Sequence, residues 1–400
     1  MSDRYKYIIV GGGLAGACAV NGIREIDREA LILLIGSENI PPYERPPLTK
    51  QLWSGKKLIT DIFAHEESFY ADNNVTLLLG TAVESIDSSA GTIGTSSGAS
   101  LSFEKLLLAT GGAPRILRIP GGALPGILYY RYLPDYETLR PTASEGKTAL
   151  IIGGGFIGTE IAAALSGKKV GVTMIFPAKH FTENVFPAGL GQALMKYYEK
   201  RGIRIITEDE PVAIQSDNGR FITGTKRGDR IESDIVVAGI GIAPSIDLAQ
   251  RAGLEVGNGI IVNEYLQTSS PNIFAAGDVA NFPYSALGKR VRIEHWDNAV
   301  NQGKLAGRNM AGAREPFEYM PYFYSDLFEF GYEAVGDVST RLEVFEDWQK
   351  EFEKGVIYYL EDSKVRGVMM CDIWDKVPVA REMIRANRRV ANQDLKGLIA

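Results

Sequence analysis

The 400-residue sequence predicts an α/β protein with two doubly wound units in series. Three observations carry this expectation. A strand, a Gly-rich turn and an Ala-rich helix occur in that order twice, as YKYIIVGGGLAGACA (5–19) and TALIIGGGFIGTEIAAAL (148–165). A second pattern, an apolar strand ending in a Gly-rich turn and Ala-Pro, also occurs twice, in EKLLLATGGAPR (104–115) and SDIVVAGIGIAPS (233–245). The composition, 45% hydrophobic and 23% charged, is that of a globular chain with a sizeable core.

Each turn has the form G-x-G-x-x-G, with Gly11, Gly13 and Gly16 in the first copy and Gly153, Gly155 and Gly158 in the second. The first glycine of such a turn permits the tight bend and the second lets a pyrophosphate approach the backbone. The third lets helix and strand pack closely. The phosphates then lie over the helix N-terminus, at the amides of residues such as Leu14 and Ala15, or Phe156 and Ile157, where the dipole favours anions. One such turn is a weak signal. Two, each after a strand and before a helix, predict two Rossmann-type folds and two dinucleotides, one resident and one exchanged.

Between the copies, LILLIG (31–36) reads as a strand followed by Ser37 and Glu38. A carboxylate there suits a ribose diol, the alternative being a solvated loop charge. PPYERPPLTKQLW (41–53) places four prolines around Arg45 and Lys50. Proline fixes φ and gives up its amide, so both cations stand on stiff backbone. Downstream, TSSPNIFAAGDVANF (268–282) is a short buried strand ending at Gly277 and Asp278. An aspartate at such an edge accepts hydrogen bonds from a polyol like ribityl, or else bonds its own turn.

Other classes are disfavoured. The net charge of −6 does not attract nucleic acid or an anionic membrane, and no apolar run approaches the ~20 residues of a membrane span. The chain enters a strand almost at once, leaving no room for a signal peptide, and its two cysteines, Cys18 and Cys371, form no C-x-x-C pair. A reducing cytoplasm is the expected location. His65, His180 and His295 are scattered, so no metal site is expected.

On PYERPPLTKQLW (42–53), LLATGGAPR (107–115), GGGFIGTE (153–160), FAAGDVA (274–280), RIEHWDNAVNQGKLAGRNMAG (292–312), SDLFEFGYEAVG (325–336) and residues 354–384, nearly the whole chain resembles the FAD-dependent pyridine-nucleotide oxidoreductases. It is most similar to their ferredoxin-reductase-like branch, and within it to apoptosis-inducing factor and its microbial relatives. The resemblance implies a glutathione-reductase-like fold with an FAD domain at 1–118 and 246–320, an NAD(P) domain at 119–245 and a C-terminal α/β domain at 321–400. It implies that Arg45 faces the FAD pyrophosphate or ribityl region, and that Lys50 approaches the reactive edge of the isoalloxazine with Glu160 opposite. Val83, Ala109, Thr110, Gly111, Arg115, Gly277 and Asp278 join the FAD side. Glu294, His295, Trp296 and Tyr324 lie at the flavin edge, Tyr324 where the family usually has tryptophan. On the nucleotide side it implies the second glycine turn, with Phe156 near the nicotinamide path, and Gly241.

The family's acidic ribose partner falls on Ala178, with Lys179 and His180 following. Loss of the acid removes a repulsion against a 2′-phosphate, which leans towards NADPH tolerance. Both NADH and NADPH stand as cosubstrates. Without paired redox cysteines, hydride passes from nicotinamide to flavin, and electrons leave directly for a ferredoxin-type protein, a quinone or oxygen. The alternative is a redox-sensing binding protein that responds to NAD(P)H. The tail REMIRANRR (381–389) puts Arg381, Arg385 and Arg388 on one helical face, a docking patch or a solvated surface. Both a monomer and a homodimer are compatible with the sequence.

Overall fold

A computed structural model describes residues 4–399. Contacts divide the chain into two compact units, each assembled from three stretches. The first contains the amino-terminal stretch through Glu44, Ile59–Ala113 and Ala243–Tyr322; the second contains Arg45–Leu58, Pro114–Ile242 and the chain from Phe323 onwards.

The first unit is built on a seven-stranded sheet. Val75–Leu78, Ile32–Ile35, Arg4–Val10, Ser100–Leu108 and Ile273–Ala275 run parallel, and the hairpin strands Val83–Asp87 and Thr92–Thr95 continue it antiparallel. IIV and ILLI are apolar without alternation because a parallel sheet is covered on both faces. The helices Leu14–Ile26 and Trp296–Met310 touch backbone to backbone. A Cβ at Gly303 would stand 2.3 Å from the Ala15 carbonyl oxygen, and one at Gly307 2.1 Å from that of Ala19. No larger residue permits this approach.

The second unit holds a five-stranded parallel sheet in the order Arg204–Thr207, Gly171–Phe176, Thr148–Ile152, Ile235–Ala238, Ile127–Leu128. A three-stranded antiparallel sheet covers residues 211–233, and the carboxy-terminal part forms a five-stranded sheet in the order Tyr322–Leu327, Phe330–Gly336, Lys364–Cys371, Lys354–Glu361, Glu343–Lys350. The proline-rich stretch belongs to this unit. Pro46–Leu48 forms one 3-10 turn, and buried Trp53 donates to the Leu48 carbonyl at 2.8 Å while standing edge-on to Tyr136.

One expectation changes here. The helix Val377–Ala386 ends at Asn387, which takes a left-handed conformation at φ +46°. Arg381 and Arg385 are helical, whereas Arg388 and Arg389 lie beyond the cap, so Arg388 does not continue their face.

Candidate functional site

In the first unit, the strand Arg4–Val10 runs into Gly11 at φ +127°, and a Cβ there would lie 2.1 Å from the Ala109 carbonyl oxygen. Gly16 is closed off similarly by the Gly11 carbonyl at 2.3 Å. Gly13 has nothing within 4 Å on its Cβ side. The turn is thus shut inward and open outward. The helix that follows has no side-chain cap and no acid in its first turn, so the amides at Leu14 and Ala15 suit an anion.

Gly277 (φ +79°) approaches Ala15 and donates its N–H to Gln302 Oε1 at 2.9 Å. The buried Gln302 Nε2 has no hydrogen-bond partner among the described residues. A cradle of open amides beside a buried orphan donor is what a bound pyrophosphate and polyol would satisfy, so these residues fit FAD. At the strand edge, Glu38 accepts from Tyr43 at 2.7 Å with Ser37 exposed, and Gly80, three residues before Val83, donates to the Glu38 carbonyl at 3.1 Å. The Ala109 N–H donates to Val10 at 2.8 Å, Thr110 donates to the Ser245 carbonyl at 2.9 Å, and Gly111 has φ +61°.

Arg292 ties three of these stretches together. It pairs with Glu294, donates to the Asp278 carbonyl at 3.0 Å and reaches Asn258 at 3.0 Å. His295 caps the helix Trp296–Met310; burial pushes its imidazole down to about 4, against the opposing pull of the Asp278 carboxylate. It is therefore neutral near pH 7. Trp296 donates to Glu44 at 3.2 Å.

The second unit repeats the turn. A Cβ at Gly153 (φ +119°) would stand 2.3 Å from the Gly239 carbonyl oxygen and one at Gly158 2.1 Å from that of Gly153, while Gly155 is open. Phe156 is the first residue of the helix Phe156–Ser166, and Ile157 is exposed beside it. This helix too lacks a cap and a first-turn acid. Gly241 has φ +91° and its carbonyl accepts from the Arg115 N–H at 3.0 Å. Past the strand Gly171–Phe176, Lys179 is exposed, but His180 is buried with Nδ1 against the Phe181 carbonyl at 3.1 Å. The expected pair of cations at the adenosine edge reduces to Lys179.

The proline-stiffened stretch brings Lys50 onto Glu160, both almost buried, at 10% and 7% side-chain exposure. Two hydroxyls complete the arrangement, Thr49 donating to Glu160 Oε2 at 2.5 Å and Ser325 to Oε1 at 2.5 Å. Lys50 also stands 5.9 Å from the Tyr324 ring centroid, and Phe156 packs edge-on to Phe323 at 5.7 Å. Arg45 donates to the Arg131 carbonyl at 2.9 Å and lies over the Tyr132 ring. Thr49, Ser325 and Gln302 escape sequence reasoning, because each acts through a partner distant in the chain, and Arg292 escapes it although Glu294 is only two residues away.

The thiols are inert. Cys18 lies within the first helix, where burial, with Glu44 adding, pushes it up to about 11; Cys371 lies in a strand and is pushed up by burial, with Glu346 and Asp372 adding. At pH 8 the native protein is expected to react with iodoacetamide roughly a hundredfold more slowly than the urea-unfolded chain, since few thiolates form. Equal rates by mass spectrometry would contradict this burial. Among the described residues no group of His, Cys, Asp and Glu could hold a metal, and no helix is long and apolar enough to cross a membrane.

Comparison with known proteins follows the same lines. The family model for pyridine nucleotide-disulphide oxidoreductases matches residues 5–303, and that for the C-terminal region of mitochondrion-associated apoptosis-inducing factor matches residues 343–386. Over 99% of its length the chain is 33% identical to mitochondrial apoptosis-inducing factor 1 of Dictyostelium discoideum, spanning 81% of that protein. It is 34% identical to putidaredoxin reductase of Pseudomonas putida, with 84% of this chain and 81% of that one aligned. Among solved structures, the reductase of the covalent putidaredoxin reductase–putidaredoxin complex matches with a TM-score of 0.92 and 30% identity, over 98% of this chain and 96% of that one.

Proposed function

The chain belongs to the pyridine nucleotide-disulphide oxidoreductase family and is an FAD-dependent NAD(P)H oxidoreductase; from that premise we propose that its electrons pass straight to a small iron–sulfur protein of ferredoxin type. The observation that carries this proposal is the position of the thiols. Cys18 and Cys371 are the chain's two cysteines, both buried and in separate elements, so no dithiol relays electrons. The relatives named as putidaredoxin, ferredoxin and rubredoxin reductases support the choice of partner. We assign FAD to residues 1–118 and 246–320, with Arg45–Leu58 of that range seated in the second unit, NAD(P) to 119–245 and a C-terminal α/β domain to 321–400, in the glutathione-reductase arrangement.

Bound FAD supplies the hydride-accepting centre and the capacity to release electrons singly. The first glycine turn, with Leu14 and Ala15, binds its pyrophosphate, and Glu38 and Asp278 orient its sugar and polyol. The second turn, Gly153 to Gly158, receives the nicotinamide nucleotide, and Phe156 and Ile157 flank its path. Lys50, held by Glu160 and facing Tyr324, supplies a fixed positive charge for the reactive edge of the flavin, and we assign Glu294 and His295 to FAD as well. Hydride delivery needs no proton donor, so positioning supplies most of the rate. Lys179 alone attracts a 2′-phosphate, so both nucleotides enter the test. The unpaired thiols agree with a cytoplasmic location.

Anaerobic stopped-flow mixing with NADH and NADPH, followed by turnover with a ferredoxin, a quinone and ferricyanide, tests the proposal. Rapid bleaching of the flavin and sustained ferredoxin reduction is the expected result. A bleached protein that persists with every acceptor would overturn it in favour of a redox-responsive binding protein.

A further inference from the structure

The Glu160 carboxylate has three side-chain donors, and they come from two distant stretches. Lys50 and Thr49 arrive from the proline-rich loop; Ser325 arrives from the strand Tyr322–Leu327. Glu160 is buried, and the other titratable groups facing it are Tyr198 on the helix Ala188–Glu199 and Tyr332 on the strand Phe330–Gly336. Burial, with the Glu160 charge adding, pushes both phenols well up, so both stay neutral and neither adds a second negative charge beside the carboxylate. We propose that Thr49 and Ser325 are positioning residues, whose hydroxyls lock the Glu160 carboxylate in one orientation and thereby fix where the Lys50 ammonium stands. This inference rests on the assignment of Lys50 to the flavin edge.

The geometry gives each hydroxyl a distinct task. Oε1 receives both Lys50 and Ser325, whereas Oε2 receives Thr49. Without Thr49, the carboxylate is free to rotate and offer either oxygen to Lys50. Without Ser325, Lys50 alone holds Oε1, and the pair swings as a unit. Thr49 Oγ1 also lies 3.2 Å from the Pro46 carbonyl, but a hydroxyl has one proton, and the anion at 2.5 Å takes it. Thr49 also directly precedes Lys50, so one short segment delivers both the cation and one lock on its counter-ion. Ser325 likewise follows Tyr324, whose ring faces Lys50, so the second lock and the aromatic neighbour share one strand.

The test uses the FAD-loaded protein with Thr49→Val, Ser325→Ala, the conservative variants Thr49→Ser and Ser325→Thr, and Lys50→Met as control. Three quantities are measured: the visible flavin spectrum, the limiting rate of flavin bleaching by NADH, and the NADH concentration giving half that rate. Thr49→Val and Ser325→Ala are expected to slow the limiting rate about tenfold each, the loss of one hydrogen bond to a charged group. The half-saturating NADH should hold within about twofold, and the visible band should move in the direction Lys50→Met moves it. Thr49→Ser and Ser325→Thr should restore both rate and band. If Lys50→Met perturbs spectrum and rate while the hydroxyl deletions match the parent protein, the positioning role is wrong and the assignment of Lys50 stands. Lower melting temperatures with an unchanged spectrum and rate would likewise overturn it. If Lys50→Met itself changes neither, the assignment of Lys50 falls, and the inference with it.

Discussion

Gly11→Ala is expected to produce a protein that no longer retains FAD, whereas Gly158→Ala retains FAD and loses its response to NADH. At Gly11 the backbone has φ +127°, and the new methyl would sit 2.1 Å from the Ala109 carbonyl oxygen. That obstacle is backbone and cannot rotate away. Adopting this φ costs about 1–3 kcal/mol and the steric overlap about as much again. The turn relieves both by moving off the strand, and its amides then leave the position an anion requires. At Gly158 the obstacle is the Gly153 carbonyl at 2.1 Å, so the second helix must retreat from its own strand. Flavin content after gel filtration and NADH titration of bleaching separate the outcomes, each expected to move at least tenfold. If Gly158→Ala empties the protein of flavin while Gly11→Ala does not, the two cofactor assignments are reversed.

Glu160→Ala is expected to destabilise the protein by about 3–5 kcal/mol and to abolish rapid flavin bleaching, because it strands the Lys50 ammonium in a buried site. The double variant Lys50→Met/Glu160→Leu should recover most of that stability without recovering the bleaching rate. Apolar side chains of similar volume satisfy a buried site as well as an ion pair does, but supply no charge. Urea unfolding of all three proteins, with bleaching kinetics on the folded fraction, reads both quantities. A double variant that bleaches normally would show that the fixed charge is dispensable.

The parallel sheets and the glycine turns were legible because their signals are local. A turn that must bend, admit a phosphate and let a helix close on a strand needs glycines at fixed offsets, and the offsets repeat. Lys50 and Glu160 were legible only through family resemblance, since nothing near either residue in the sequence points to the other. Thr49 and Ser325 were not legible at all. A hydroxyl donor leaves no pattern, and its partner is fixed only by tertiary folding. His180 looked available beside Lys179, but its ring turns inward against the helix at Gly191. Arg388 looked helical because the basic run continues, yet Asn387 adopts the left-handed cap first.

The proline-rich stretch bears on how such a protein can be divided. Its sequence lies between two strands of the first sheet, but its tryptophan is seated among Tyr130, Tyr136 and Arg140 of the other unit. No single cut in the polypeptide therefore yields two self-sufficient halves. A gene fragment encoding only 119–400 would leave the cavity for Trp53 empty and Glu160 without its lysine. Exchange of modules between relatives by recombination must carry this short segment along with the distant region it serves.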